Sequence, residues 1–203
     1  MAATEKTTEK TKARSSLLTQ VQEMRQVQDE FYARESDRLV RVAELMGTCI
    51  GKGGKILICG NGGSASDALH FSGEMVGRFL KERRPLPAIA LSGDISAITA
   101  IGNDYGYEQV FARGVEAYGK KGDLLFAIST SGKSPNILKA VETAKKIGLT
   151  VIGLTGGEGG PLGKISDEHF NVLLGKNSAR IQEVHIQVIH LLVALMDEYF
   201  LTN

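Results

Sequence analysis

The chain has 203 residues, 42% hydrophobic and 23% charged, enough to bury one substantial core within the usual size of a single domain. Its 24 basic and 23 acidic residues leave a formal charge of +1, which excludes a global field drawing it onto nucleic acid or an anionic membrane. An anionic ligand must therefore be held by local groups.

The run from Met1 to Ser16 is built of Ala, Thr, Glu and Lys, lacks the apolar centre of a signal peptide, and reads as a frayed tail ahead of one domain over 17–203. From Leu17 to about Ile50, Leu17, Val21, Met24, Val27 and Phe31, then Leu39, Val42, Leu45 and Met46 recur at helical spacing, which predicts one or two amphipathic helices. After Gly51, Gly53 and Gly54 the pattern changes to short apolar runs that read as strands: Ile56 to Cys59, Ala88 to Leu91, Leu124 to Ile128, Val151 to Leu154 and Phe170 to Leu174. Helix-length segments lie between them, at about Asp67 to Leu80, Ile95 to Gly119 and Asn136 to Ile147, so the chain predicts a parallel sheet wrapped by helices. Ala179 to Phe200 is expected as a long terminal helix, with Ile181, Val184, Val188, Leu191, Leu192 and Leu195 on its apolar stripe. Its His, Gln, Asp and Glu residues argue against the ~20 apolar residues of a membrane span. Cys49 and Cys59 form no disulfide framework or zinc knuckle, which fits a reducing, cytoplasmic setting.

In open parallel sheets, ligand sites form where loops leave the carboxyl ends of the strands and meet helix N-termini. Two such loops are polar. Gly60-Asn61-Gly62-Gly63-Ser64 follows the first strand, and its glycines would let backbone approach a ligand while Asn61 and Ser64 add polar groups. It is neither a Walker A loop nor a dinucleotide fingerprint, and a plain strand-to-helix turn would also explain it. Ser129-Thr130-Ser131-Gly132-Lys133-Ser134-Pro135 follows the third strand; its hydroxyls, with helix N–H groups, suit a dianionic phosphate without adding net charge. An N-cap serine accounts for Ser134 but not for the Ser-Thr-Ser cluster.

His70 and Glu74, four apart, lie on one helix face, and Gln182 and His190, eight apart, lie on neighbouring parts of another. Such nitrogen and oxygen donors suit a zinc-like ion, although a lone His on an apolar helix, as His185 is expected to be, is more often a packing residue. Spacing alone also permits Glu183, seven from His190, in place of Gln182.

Gly60-Asn61-Gly62-Gly63-Ser64, His70-Phe71 through Glu74, Gly102-Asn103-Asp104-Tyr105-Gly106, Ser129-Thr130-Ser131-Gly132 and Arg180-Ile181-Gln182-Glu183 through His190 occur in that order. In this the chain resembles the phosphoheptose isomerases of the sugar isomerase (SIS) domain family, over roughly Leu17 to Phe200. The resemblance implies an α/β three-layer sandwich with a five-stranded parallel sheet of flavodoxin-like order, assembled as a homotetramer with active sites at subunit contacts. It implies one zinc ion per subunit on His70, Glu74, Gln182 and His190, and a phosphate cradle of Ser129, Thr130, Ser131 and Ser134. Asn61, Gly62, Gly63, Asn103 and Asp104 match sugar-contacting positions, although Asn103 and Asp104 also suit an ordinary turn.

The implied reaction converts D-sedoheptulose 7-phosphate to D-glycero-D-manno-heptose 7-phosphate through an enediol, the first step of ADP- or GDP-heptose biosynthesis, with Glu74 and His190 sharing the proton transfers. A phosphorylated seven-carbon sugar is then the expected partner, with no nucleic acid and no membrane. The alternative within the family is a non-catalytic binding protein of the DnaA initiator-associating type. That relative lacks the acid matching Glu74 and the histidine matching His190 and has a bulky residue where Ser131 stands. Ala179 departs from the acid or hydroxyl that some heptose isomerases place before Arg180.

Overall fold

The computed structural model describes residues 2–202, with side chains from Lys10 to Leu201. A helix, α1 (Ala2–Gly51), leads into β1 (Ile56–Gly60), α2 (Gly63–Val76), β2 (Ala88–Ala90) and α3 (Ile95–Tyr105). After a short 3-10 turn come α4 (Ala112–Tyr118), β3 (Leu124–Ile128), α5 (Pro135–Ile147), β4 (Thr150–Gly156), α6 (Gly160–Ile165), β5 (Glu168–Val172) and α7 (Ser178–Thr202). All strand pairs are parallel, in the order β2-β1-β3-β4-β5.

Alternation along each central strand sorts the core into two layers. Ile56 and Ile58 of β1, with Leu124, Phe126 and Ile128 of β3, pack under α1, α2 and α7. Leu57, Cys59, Leu125 and Ala127 point the other way, against α4, α5 and α6. Every residue of β1 and β3 is buried, as a parallel sheet covered on both faces requires. At about 1.5–3 kcal/mol for each large side chain fully removed from water, these layers supply the main drive to fold.

Several expectations shift. The segment expected as a tail continues α1, as its Ala, Glu and Lys content permits, but Lys10 to Gln20 are all exposed and, among the described side chains of α1, the first buried one is Val27; Met1 lies outside the described residues. The last strand runs Glu168–Val172 rather than Phe170–Leu174, leaving Leu173 and Leu174 about half exposed. Ser178–Leu201 is, by length and composition, apolar enough to cross a membrane, contrary to the reading of its sequence. Val184, Val188, Ile189, Leu192, Val193 and Met196 of this helix are nevertheless buried in the layer beneath α1 and α2.

One ion pair fixes how α2 meets α7. Arg83 Nε donates to Asp197 Oδ1 at 2.7 Å, with both side chains 1% exposed. The rest of the guanidinium donates to the carbonyls of Glu74, Met75, Gly77 and Arg84, and Asp197 Oδ2 accepts from the backbone of Leu80 and Lys81. Carbonyls at the end of α2 are thereby satisfied by a group anchored on α7.

Candidate active site

The sheet order reverses between β1 and β3, so the loops leaving these two strands flank one crevice at their carboxyl ends. Both polar loops singled out in the sequence lie there, and a reciprocal amide pair joins them. Asn61 Nδ2 donates to Asn136 Oδ1 at 2.8 Å, and Asn136 Nδ2 donates back to Asn61 Oδ1 at 2.9 Å. Tyr107 Oη also donates to Asn61 Oδ1, at 3.2 Å. Neither Asn136 nor Tyr107 was expected from sequence, because nothing in the spacing of residues 75 apart announces a contact that strand order creates.

These bonds change the role of Asn61. Its oxygen has two donors and one amide hydrogen is committed, which leaves a single N–H for a ligand. Ser64 is 3% exposed at the start of α2, too deep to face a sugar in this conformation. Gly62 is exposed, whereas Gly63 allows Gln182 to approach: a Cβ there would overlap the Gln182 amide.

In the second loop the four hydroxyls divide. Ser129, 5% exposed, shares a 3.2 Å hydrogen bond with Ser134 beneath the surface. Thr130 and Ser131 line a cleft of about 290 Å³ with Lys133, Gly156, Gly157, Glu158 and Ile181, so the loop after β4 forms the opposite wall. Ser131 Oγ accepts from Lys133 N at 3.2 Å, which shapes the turn. Gly132 has φ +63°, and a side chain there would collide with the Gly159 carbonyl, so glycine is required twice over. Ser134 precedes α5 with Pro135 in the first turn, as expected.

The helix residues come together in part. His70 Nε2 faces His190 Nε2 at 2.9 Å, and Glu74 Oε1 stands 3.4 Å from the same His70 nitrogen. Phe79 packs on His190 with ring centroids 5.4 Å apart. Gln182, by contrast, lies at Gly63, seven residues and about two helical turns before His70. Sharing a helix face across eight residues is not convergence, because those residues rise about 12 Å. The expected four-ligand set is therefore not assembled within one chain.

The donor types suit a zinc ion. Two ligand atoms at the usual 2.0–2.1 Å from one tetrahedral ion lie about 3.3 Å apart; His70 Nε2 and Glu74 Oε1 are 3.4 Å apart, whereas the two imidazole nitrogens, at 2.9 Å, stand closer and would have to separate slightly. Among the described residues no three His, Cys, Asp or Glu side chains converge as a finished cluster. Glu183 pairs with Arg180, so it does not take the place of Gln182.

Asn103 and Asp104 form not a turn but the last turn of α3, exposed, with Asn103 Nδ2 donating to Asp104 Oδ1 at 2.7 Å. Their segment reaches the first loop through Tyr107. His185 is the packing residue it was expected to be: wholly buried, bonded through Nε2 to the Thr155 carbonyl, with its pKa pushed down to about 4 by desolvation. Asp67, one turn before His70, has an unpartnered oxygen and a pKa raised to about 6 by burial.

A parallel sheet that reverses between β1 and β3, with a hydroxyl-lined cleft between the loops after β3 and β4, defines an α/β domain that presents a polar site at the carboxyl ends of its strands. The SIS domain model matches residues 20–156. A phosphoheptose isomerase from Campylobacter jejuni is 53% identical over 163 residues, covering 80% of this chain and 87% of that protein. The structures of the phosphoheptose isomerases from Neisseria gonorrhoeae and Francisella tularensis superpose with TM-scores of 0.86 and 0.88, at 42% and 40% identity. Each covers 92% of this chain, which spans 99% and 98% of theirs. The chain belongs to the SIS domain family, and within it to the phosphoheptose isomerases.

Proposed function

We propose that this phosphosugar isomerase converts D-sedoheptulose 7-phosphate to D-glycero-D-manno-heptose 7-phosphate, as the first step of ADP- or GDP-heptose biosynthesis. The observation that carries the reading is the presence, in one chain about half identical to enzymes of that name, of a hydroxyl-lined cleft beside the loop after β3 and a His70–His190–Glu74 constellation on α2 and α7.

Aldose–ketose interconversion removes a proton from a carbon beside a carbonyl and returns it to the neighbouring carbon. Glu74 and His190 share those transfers through a cis-enediol, with His70 beside both. Thr130 and Ser131 hold the phosphate in the cleft, with Ser129 and Ser134 supporting the turn from below, so the remote end of the sugar orients its reacting carbons. One zinc ion per subunit, held by His70 and His190 with Glu74 beside them, would polarise the carbonyl. Gln182 completes the set only by moving off Gly63.

The same reading makes the enzyme a cytoplasmic homotetramer with its sites at subunit contacts. Leu69 and Leu191 adjoin His70 and His190 in sequence and, with Val76 and Leu80 at and beyond the end of α2, are 41–68% exposed in the single chain, which supports burial against a second copy. Cys49 and Cys59 are separate buried thiols, in keeping with a reducing compartment. The test is to assay purified protein on sedoheptulose 7-phosphate beside shorter ketose phosphates, with metal analysis and sedimentation of the same sample. Turnover of none of them would refute the proposal.

A further inference from the structure

We propose that Asn136 is a positioning residue for the isomerisation, acting through Asn61 to hold the loop after β1 at a fixed separation from the phosphate loop after β3. The inference rests on the isomerase reading and on the assignment of the phosphate cradle. Asn136 is the second residue of α5, 2% exposed, and immediately follows the Ser129–Pro135 loop. Asn61 lies directly after β1, two residues before the helix that carries His70 and Glu74. Their amides therefore connect the segment that grips the phosphate with the segment that carries the reacting groups.

The connection is closed and specific. The two amides exchange hydrogen bonds at 2.8 and 2.9 Å. The second lone pair of Asn136 Oδ1 accepts from Ile137 N at 3.0 Å, which fixes the amide to the first turn of α5, and the second lone pair of Asn61 Oδ1 accepts from Tyr107 Oη. Both carbonyl oxygens are saturated, so each amide has a single orientation. A half-buried pair of this kind, with Asn136 itself buried, cannot slide as freely as an apolar contact, because a shift strands the Asn136 amide away from water. β1 and β3 themselves end at Gly60 and Ile128, and the amide pair extends their register into the loops beyond.

A sugar phosphate spans the distance that this pair fixes, one end in the Thr130–Ser131 cleft and the other toward α2. Loosening the pair leaves each end able to bind but not in register with the other.

The test uses full-length Asn136→Ala and Asn136→Asp, with kcat and KM on sedoheptulose 7-phosphate and inorganic phosphate as a competitive inhibitor. We expect kcat to fall roughly 10–100-fold, the cost of a small misplacement of reacting groups, while phosphate inhibition changes by no more than about twofold. In the double variant Asn61→Ala/Asn136→Ala, activity should fall little below that of the worse single variant, because each removes the same contact. Should Asn136→Ala fail to fold, Asn136→Asp keeps the volume and the acceptor while removing the donor to Asn61, and reads the same quantities. Unchanged kcat in the folded variants, additive losses in the cycle, or phosphate inhibition weakening in step with kcat would each overturn the proposal. Ser131→Ala with undiminished phosphate inhibition would instead sink the cradle assignment, a separate failure.

Discussion

The two ends of the site are built on different principles. Around the cleft, short side chains and backbone do the holding: Ser129 bonds Ser134, Ser131 accepts from the Lys133 backbone, and Asn61 and Asn136 lock the loops. Around the histidines, the groups proposed to react project from α2 and α7 with His70 43% and Glu74 24% exposed, and the geometry is set farther along the helices by the buried Arg83–Asp197 pair. The proposed binding end is thus organised locally, whereas the proposed reacting end is organised from a distance, which leaves its side chains the room to move that proton transfer would need.

The largest expected effect breaks the reacting end alone. Glu74→Gln should lower kcat roughly 10³-fold, within the range for a lost acid–base group, with KM and melting temperature little changed. Full activity in this variant would remove Glu74 from the chemistry. Next is the remote anchor: Asp197→Asn leaves Arg83 charged and unpaired at 1% exposure, and should cost about 3–5 kcal/mol of stability in denaturant titration. It should also depress kcat in the fraction that stays folded, since α2 and α7 lose their register. A variant that is destabilised but turns over normally would show that the anchor serves the fold only. At the binding end, Ser131→Ala should raise KM roughly tenfold, the worth of one hydrogen bond to a charged phosphate, and unchanged KM would place the phosphate elsewhere.

The same contrast explains what the sequence disclosed. The polar loop after β3 was legible because its chemistry is local: hydroxyls crowded round a glycine declare a polar turn wherever they occur, and Gly132 indeed has the backbone that only glycine adopts readily. Sheet class followed from alternating apolar runs. The cross-loop contacts were hidden, because Asn61 meets Asn136 and Tyr107 only once β1 lies beside β3. The distance of Gln182 from His190 was hidden for a related reason, since helical periodicity reports which face a residue occupies and not how far along the axis it lies. Asp197 left a faint mark, an acid within the apolar stripe of α7, but its partner Arg83 is 114 positions away.

The smallest effect concerns neither end but the joint between α7 and the sheet, where His185 is held neutral against the Thr155 carbonyl. Its pKa is about 4 when folded, against 6.5 for the free group, so the unfolded chain binds more protons between those values. The neutral form's contribution is complete above pH 6.5 and is lost progressively as pH falls toward 4. His185→Gln, which retains a donor but cannot titrate, should therefore be the less pH-sensitive protein. Between pH 7 and pH 6 the wild type should lose under about 1 kcal/mol more than the variant, with the gap widening at pH 5, read from urea midpoints at each pH. Parallel stability curves for the two proteins would mean that His185 is not held neutral, and the packing of α7 on β4 would have to tolerate a charge there.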